Sequence, residues 1–198
     1  MRQIVLAGVG GQGILLASKI LAKTALDAGY DVRTSETIGM AQRGGSVLSH
    51  LRIGDAGEEI SSAMVYEQGA DLLLGFEPGE ALRALHLLST EGIVAASNIC
   101  IVPTTASGSG MGYSFAGVDA ELTRLQGEGA FARYLRVDAQ SACEKCGSAK
   151  VLNTVMLGAA VKSGLVGFSA DQVLAAMDSL IKPAFIELNH RAFEYGLA

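Results

Sequence analysis

Apolar residues follow two patterns in this sequence, short continuous runs and longer stripes at helical spacing. The segment Gln3–Ala7 is apolar after its first residue, which is typical of a strand buried on both faces of a parallel sheet. After the turn Gly8–Gly13, apolar positions recur at helical spacing over Ile14–Ala28, and Gly29 is a usual helix stop. A short strand, Asp31–Thr34, follows. These elements predict a β–α–β unit with parallel strands and a right-handed crossover.

The middle of the chain predicts an antiparallel hairpin. Ser46–Ile53 alternates between apolar and polar residues, which is typical of a strand with one face on a core. Gly54–Gly57 is a turn signal, and Glu59–Val65 is expected to return as the second arm. The sheet is therefore expected to be mostly parallel and to carry one antiparallel pair.

Strands and helices continue to alternate in the rest of the sequence. Apolar runs predict strands at Asp71–Phe76, Ile93–Ser97 and Tyr134–Val137, and apolar stripes predict helices from Pro78 onwards and at Val118–Gln126, Lys150–Ser163 and Asp171–Ala192. Pro183 is expected to kink or divide the last helix, and Thr104–Gly117 is expected to be a long loop. The predicted fold is α/β with three layers, α/β/α, around a Rossmann-like, mostly parallel sheet. Residues 1–198 are expected to form one domain, with a helical tail at 145–198 packed on it.

Composition narrows the class of protein. The 198 residues include 15 Lys and Arg against 20 Asp and Glu, a net charge of −5, so neither nucleic acid nor an anionic membrane is an expected partner. Apolar residues make up 49% of the chain and charged residues only 18%, which indicates that another chain covers part of the surface. No apolar run reaches the roughly 20 residues needed to span a bilayer. The N-terminus is typical of a strand rather than of a signal peptide, so a cytoplasmic location is expected.

The three cysteines limit the redox and metal chemistry of the chain. Their odd number argues against a disulfide framework. Cys100, Cys143 and Cys146 cannot supply the four thiolates that a [4Fe–4S] cluster normally takes. Cys143 and Cys146 form a CxxC pair, which outside a thioredoxin-like strand–turn–helix is weak evidence for a redox dithiol. We therefore expect no iron–sulfur cluster and no metal on this chain.

A glycine-rich segment between the first strand and the first helix is the strongest local motif. Gly8, Gly10 and Gly13 form GxGxxG, and Gly11 and Gln12 complete the segment. Glycines in this context allow backbone N–H groups to approach a pyrophosphate at a helix N-terminus. In the same context Glu36 would reach a ribose. The spacing also resembles a P-loop, but the Lys and Ser/Thr that such a loop requires are absent, which excludes nucleoside triphosphate hydrolysis. The alternative is that the glycines only allow a tight turn.

A second candidate segment follows the second predicted strand and ends in Gln42, Arg43, Gly44 and Gly45. It is expected at the same edge of the sheet as the first glycine loop, where open α/β sheets bind ligands. Arg43, followed by two glycines, is suited to a phosphate or a carboxylate. The alternative is an ion pair between Arg43 and Glu36 at a surface or an interface. Later in the chain, Lys150 and Asn153 are more typical of an exposed helix face than of a ligand site.

These segments resemble a known family, the gamma-type subunits of 2-oxoacid:ferredoxin oxidoreductases, and most closely the beta subunit of the indolepyruvate enzyme. The resemblance depends on three segments in order, and it extends to Asn153 and the later Leu-Gly-Ala. The three segments are Gly8–Gly13, Glu36–Gly45 and Leu74–Pro78. Ile38 stands where many members have histidine.

The resemblance implies a subunit of an enzyme that oxidatively decarboxylates a 2-oxoacid, such as indolepyruvate, another aryl pyruvate or pyruvate, to an acyl-CoA. Thiamine diphosphate, Mg and the iron–sulfur clusters are then expected on a catalytic partner chain, ferredoxin is expected to meet the complex, and coenzyme A is the contact expected for this chain. The chain alone is expected to be inactive, and to be a homo-oligomer when isolated. Its implied site residues are the glycine-loop residues, Glu36 and the segment from Gln42 to Gly45, and no catalytic residue is expected. The alternatives are a stand-alone dinucleotide-binding reductase and a ligand-binding Rossmann-like module.

Overall fold

The computed structural model describes residues 1–39, 44–55, 57–102 and 113–198. Strands and helices alternate through these ranges, as the sequence predicts. The strands are β1 (Arg2–Val9), β2 (Asp31–Ile38), β3 (Ser46–Gly54), β4 (Ala70–Gly75), β5 (Leu88–Ser97) and β6 (Arg133–Val137). The α-helices are α1 (Ile14–Asp27), α2 (Pro78–Ala84), α3 (Phe115–Gly127), α4 (Ala139–Cys146), α5 (Leu152–Ser163), α6 (Ala170–Leu180) and α7 (Ile186–Leu197).

All six strands form one mixed sheet in the order β2-β3-β1-β4-β5-β6. The strands β1, β4, β5 and β6 are parallel, whereas β3 is antiparallel to both of its neighbours, β1 and β2. In the registers around β1, Val5 is opposite His50 of β3 and Leu6 is opposite Leu74 of β4. The prediction of a mostly parallel sheet with an antiparallel hairpin is therefore confirmed.

The predicted strand neighbours were wrong in two places. β2 does not lie beside β1, because β3 occupies the position between them and forms the hairpin with β2. The reason is burial. β3 is buried along most of its length and takes an inner position, whereas the polar β2 is largely exposed and takes the edge.

The predicted second arm, Glu59–Val65, contains no strand. Instead, it lies over β3, where Ile60 and Val65 are buried. The Val65 amide donates to Nδ1 of His50 at 3.3 Å, and Arg52 donates to the Ser62 carbonyl at 2.8 Å. These residues therefore cover the sheet and do not extend it.

Helices cover both faces of the sheet, which confirms the three-layer architecture. One apolar core joins α1, α4, α5, α6 and α7 to residues of β1, β3 and β4, including Ile4, Leu51 and Leu74. A second core joins α2 and α3 to the opposite face, where Val5 and Leu73 are buried. None of the described helices combines the length and the apolar character needed to cross a bilayer.

The helices after residue 113 differ in part from the prediction. The predicted helix Asp171–Ala192 is divided into α6 and α7 by a short 3₁₀ turn, Pro183–Phe185, as the proline indicated. Most of the predicted loop Thr104–Gly117 lies outside the described residues, but its last residues already belong to α3. Helix α4 was missed because it is short and polar, although Asp138 caps it by accepting from the Ser141 amide at 3.2 Å.

Candidate functional site

The first glycine loop connects the end of β1 to the start of α1. Gly13 is the N-cap of α1, with φ of 77°, and no side-chain hydrogen bond caps the helix. The first turn of a helix has unpaired N–H groups and a partial positive charge, so this end of α1 is suited to an anion.

The structure brings the two glycine segments together at one edge of the sheet. The Gly10 amide donates to the Gly45 carbonyl at 2.9 Å, and the Gly39 amide donates to the Ser46 carbonyl at 2.8 Å. Ser46 Oγ then donates to Oε2 of the buried Glu80 at 2.7 Å, which ties the second segment to α2. Gly44 also lies in this segment, with φ of 77°. The other two predicted site residues there, Gln42 and Arg43, lie outside the described residues.

Gln12 has a structural role in the first loop. Its Oε1 accepts from the Val9 amide at 2.7 Å, and its Nε2 donates to the Phe76 carbonyl at 3.0 Å. Both ends of the side-chain amide are therefore engaged within the chain. They tie the loop to the end of β4 and leave the backbone, rather than this side chain, for recognition.

The glycines of the loop have different surroundings. A β-carbon on Gly8 would lie 2.6 Å from Oε1 of Gln12 and 2.8 Å from Cβ of Phe76, so close packing requires glycine there. At Gly10 the nearest described atom would be the Gly45 carbonyl oxygen, at 3.8 Å. The tight-turn alternative therefore accounts for Gly8, whereas the described residues around Gly10 leave room for a side chain.

A cavity of about 360 Å³ opens beside these glycines. Its walls are mainly apolar, and Ile38 at the end of β2 is 60% exposed. The lining residues are Val9, Gly10, Gly11, Gly13, Ile14, Leu15, Ile38 and Val47. The described walls offer backbone N–H groups and apolar side chains, which suits part of an amphipathic ligand or a segment of another chain.

Glu36 does not join this cavity. It lies on the edge strand β2, where it pairs with Ser49 of β3 rather than with a residue of β1. Its side chain lines a separate depression along α1 with Lys19, Lys23 and Asp27. The ribose contact expected for Glu36 requires β2 to lie next to β1, and the insertion of β3 removes that neighbour.

Two buried carboxylates after β4, Glu77 and Glu80, support the site, and no sequence pattern predicted a role for them. Glu77 is 2% exposed and caps α2 by accepting from the Glu80 amide at 2.9 Å. The Tyr113 hydroxyl donates to Glu77 and accepts from the Gly79 amide at 3.0 Å. Burial and the neighbouring Glu77 carboxylate raise the pKa of Tyr113 well above its usual range, so the hydroxyl keeps its proton. Glu77 belongs to Leu74–Pro78, one of the three segments that carry the family resemblance, and that membership was the only sequence feature that could have indicated its role.

The position predicted for Asn153 from sequence spacing was also wrong. Asn153 was expected on an exposed helix face, but only 4% of its surface is exposed, and it packs against the first glycine loop. A β-carbon on Gly13 would lie 3.0 Å from the Asn153 side-chain amide. Oδ1 of Asn153 has no hydrogen-bond partner among the described residues. Lys150 is exposed, as expected.

The cysteines and acidic residues do not assemble a metal centre in the described ranges, where no group of three or more potential ligands is close enough to hold an ion. Cys100, Cys143 and Cys146 are free thiols. Burial, with a smaller effect of Cys146, raises the pKa of Cys143 to about 11, and burial also raises the pKa of Cys100. Both side chains are therefore protonated at neutral pH and are poor nucleophiles.

Comparison with known proteins identifies the family. Residues 3–198 match the family described as Pyruvate ferredoxin/flavodoxin oxidoreductase. The chain belongs to this family. It is 37% identical over 194 residues to the indolepyruvate oxidoreductase subunit IorB of Thermococcus kodakarensis, covering 98% of this chain and 93% of the relative. It is 36% identical over 195 residues to the subunit of the same name from Archaeoglobus fulgidus, covering 98% and 92%. These matches confirm the resemblance drawn from the three sequence segments.

Solved structures of the family share the fold. The gamma subunit of a keto/oxoacid ferredoxin oxidoreductase from Geobacter sulfurreducens superposes with a TM-score of 0.69 at 24% identity, covering 99% of this chain and 96% of that chain. The pyruvate oxidoreductase subunit PORC of Thermotoga maritima gives a TM-score of 0.67 at 24% identity, with 98% and 94% covered. At these identities the comparison supports the architecture alone.

Proposed function

We propose that this chain is the non-thiamine-binding subunit of a 2-oxoacid:ferredoxin oxidoreductase. The observation that carries the proposal is the end-to-end match with curated subunits named for indolepyruvate oxidoreductase. In the proposed reaction, a 2-oxoacid, coenzyme A and two oxidised ferredoxins give an acyl-CoA, CO₂, two reduced ferredoxins and one proton. The names of the relatives favour an aryl 2-oxoacid of the indolepyruvate type, and a cytoplasmic complex is expected.

The reaction assigns thiamine diphosphate, Mg and iron–sulfur clusters to a larger partner chain. The described residues of this chain do not fit those groups. A thiamine-diphosphate and magnesium site is expected to carry a Gly-Asp-Gly…Asn-Asn signature, and the single Gly-Asp pair of this sequence, Gly54-Asp55, lies at the end of β3 and is not followed by a second glycine. The Asp55 carboxylate instead pairs with the Met1 ammonium at 3.2 Å and with Arg2 at 3.6 Å. The chain has three cysteines, one fewer than the four thiolates that a [4Fe–4S] cluster normally takes, and no three potential metal ligands come together among the described residues. The site of this chain is therefore proposed to act in binding, and the partner supplies the chemistry.

The glycine-loop cavity is proposed to receive an anionic part of coenzyme A. Unpaired N–H groups at the start of α1 and the guanidinium of Arg43 would hold phosphate oxygens, and the apolar walls would contact the rest of that part. The volume of about 360 Å³ lies at the lower end of ligand pockets, so it suits part of the cofactor rather than all of it. Gly10 leaves space for this approach.

The subunit proposal is tested by co-purification. The chain is tagged in its native host, and the eluted proteins, the visible spectrum and 2-oxoacid-dependent ferredoxin reduction are measured, with indolepyruvate, phenylpyruvate and pyruvate as substrates. We expect a brown complex that contains a thiamine-diphosphate chain and prefers an aryl 2-oxoacid. A lone colourless chain that binds NAD would overturn the proposal and restore the reductase alternative, which the position of Glu36 disfavours.

The coenzyme A contact is tested separately in the assembled complex. Gly10→Leu fills the cavity and Arg43→Ala removes a cation, so each variant is expected to raise the KM for coenzyme A about tenfold or more while kcat changes little. Gly117→Ala, on helix α3, which packs on the opposite face of the sheet from α1, is the control and is expected to leave both constants unchanged. If both site variants keep the wild-type KM and assemble normally, the cavity is not the coenzyme A contact, although the subunit assignment would stand.

A further inference from the structure

A second cavity, of about 370 Å³, lies between α1, the start of α5 and the junction of α6 with α7. It shares no lining residue with the glycine-loop cavity. Much of its wall is apolar and includes the ring of Phe185, which is 52% exposed. The lining residues are Leu16, Ser148, Lys150, Val151, Asn153, Leu180, Ile181, Lys182, Phe185, Leu188 and Asn189.

Two ammonium groups give this cavity a positive charge. Lys150 and Lys182 are both exposed, and neither belongs to an ion pair with a described carboxylate. No aspartate or glutamate lines the cavity among the described residues. The uncompensated charge favours an anionic group at the rim.

One residue of the cavity wall also has an unused hydrogen-bonding atom. Asn189 is satisfied, because its Oδ1 accepts from the Thr154 hydroxyl at 2.6 Å and its Nδ2 donates to the Phe185 carbonyl at 2.8 Å. Asn153 differs, because it is equally buried but its Oδ1 has no partner in the described chain. A buried acceptor without a donor costs roughly 1–3 kcal/mol. This oxygen is closed off from solvent, so a ligand that supplies an O–H or N–H relieves that cost when the Asn153 amide turns its oxygen toward the cavity.

These features point to one class of ligand. The apolar walls require an apolar body, the exposed ring of Phe185 favours an aromatic one, and the two lysines require a negative charge. A volume near the lower limit for ligand pockets suits a small ligand better than a whole nucleotide or coenzyme A. We propose that this cavity binds a small aromatic carboxylate, preferably one with a ring N–H or O–H donor, at a site distinct from the glycine-loop cavity.

The contact between Asn153 and Gly13 gives ligand binding in this cavity an NMR signature. Because the Asn153 side-chain amide packs on Gly13, a ligand in the cavity would border a group that also contacts the first glycine loop. The amide signals of Gly13 and Asn153 should therefore move together when the cavity fills. Signals of Ile38, which lies in the glycine-loop cavity, should move less.

The test is a titration of the ¹⁵N-labelled full chain, without its partner, with indole-3-acetate. We expect saturable shifts at Lys150, Asn153 and Gly13, with a Kd near or below about 1 mM, a range typical of a weak small-molecule site. Indole-3-acetamide, which lacks the charge, should bind at least tenfold more weakly. Lys150→Ala and Lys182→Ala should each weaken indole-3-acetate binding about fivefold, whereas Lys145→Ala, outside the cavity, should not.

Three results would overturn the proposal. They are shifts that do not saturate, equal binding of the acetamide, and shifts centred on Gly10, Gly11 and Ile38. Because the isolated chain is used, such a failure leaves the proposed subunit role untouched. Coenzyme A is added as a second probe, and competition with indole-3-acetate at the Lys150 and Asn153 signals would assign the cavity to that cofactor instead.

Discussion

The glycines between α5 and α7 have surroundings opposite to those of Gly10 and Gly11 in the first loop. A β-carbon on Gly158 would lie 2.8 Å from Cα of Gly196, and one on Gly196 would lie 3.0 Å from the backbone nitrogen of Ala159. Backbone crowds both positions, because the two helices pack closely. At Gly10 the nearest described atom is 3.8 Å away, and at Gly11 there is none within 4 Å.

This contrast separates two reasons for glycine in one chain. Between α5 and α7, the fold itself requires that side chains be absent, so glycine is explained without any ligand. At Gly10, which lies at the sheet edge beside a cavity, packing against the described residues gives no such reason. The open position is therefore the more informative one for function, since an external group can approach the backbone there.

The largest expected effect is at the crowded pair. Gly158→Ala places a methyl group against the backbone of α7, including the Phe193 carbonyl, and neither helix can yield without moving. We expect the free energy of unfolding to fall by about 3 kcal/mol, as for severe overpacking. Urea denaturation monitored by circular dichroism measures it.

The matched control for this variant is Gly117→Ala in α3. The nearest atom to its added β-carbon would be Oγ of Ser114 at 3.6 Å, an ordinary contact, and the Ser114 cap is retained. Alanine has the higher helix propensity, so stability should be unchanged or should rise by up to about 1 kcal/mol. Equal losses in both variants would mean that crowding is not what distinguishes them.

Within the first loop the same comparison is expected at smaller scale. Gly8→Ala must displace Gln12, which holds the loop to Phe76, and should cost about 2 kcal/mol. Gly10→Ala should change stability by less than about 0.5 kcal/mol, as at uncrowded surface positions. Thermal unfolding of the two variants, measured side by side, tests this order. A Gly10 variant as unstable as the Gly8 variant would show that the fold itself requires glycine at residue 10.

The hydrogen bond that ties the second glycine segment to α2 gives a third, smaller effect. Ser46→Ala removes the hydroxyl that donates to Oε2 of buried Glu80, and should cost about 1.5 kcal/mol because that oxygen loses its donor while Arg83 still donates to Oε1. The amides of Gly10 and Gly39 should then exchange with solvent faster, since their acceptors belong to the released segment. Hydrogen exchange followed by NMR measures both. Ser46→Thr keeps the hydroxyl and should behave like the wild type, and equal exchange in Ser46→Ala would disprove the link.

Sequence predicted local features well and strand neighbours poorly. The apolar run of β1 and the stripe of α1 were placed within one or two residues, because burial on both faces and helical spacing are local signals. The position of β3 between β1 and β2 depends on which strand is better buried, a competition between distant segments. Because β3 takes that position, Glu36 on β2 lies away from the glycine loop that follows β1.

The positions of the two glycine segments in the candidate site were predictable from the sequence, but the buried polar side chains that hold them were not. Both glycine segments were expected at one sheet edge from their positions after strands, and the Gly10 to Gly45 hydrogen bond joins them there. The buried roles of Glu77, Glu80 and Asn153 follow from contacts with residues far away in sequence. Polar residue types normally indicate exposure, so composition and spacing pointed the wrong way for these side chains.

The smallest expected effect is a loss of folding stability at low pH, which should be larger in the sheet beside the glycine loops than in the α5–α7 pair. Burial lowers the pKa of His50 on β3 below its ordinary 6.5, so between the two values the unfolded chain binds more protons than the native chain. The contribution of His50 to stability is therefore fully present above about pH 6.5 and declines as the pH falls through the native pKa, by at most about 1.4 kcal/mol per pH unit.

His50→Gln, which can still accept from the Val65 amide, should show a smaller loss of stability between pH 7 and pH 5, whereas the exposed His86→Gln should follow the wild type. Urea midpoints across this range measure the difference, and hydrogen exchange should report earlier opening of β3 than of α5. An identical pH dependence in all three proteins would show that His50 does not control the response of this side of the sheet to acid.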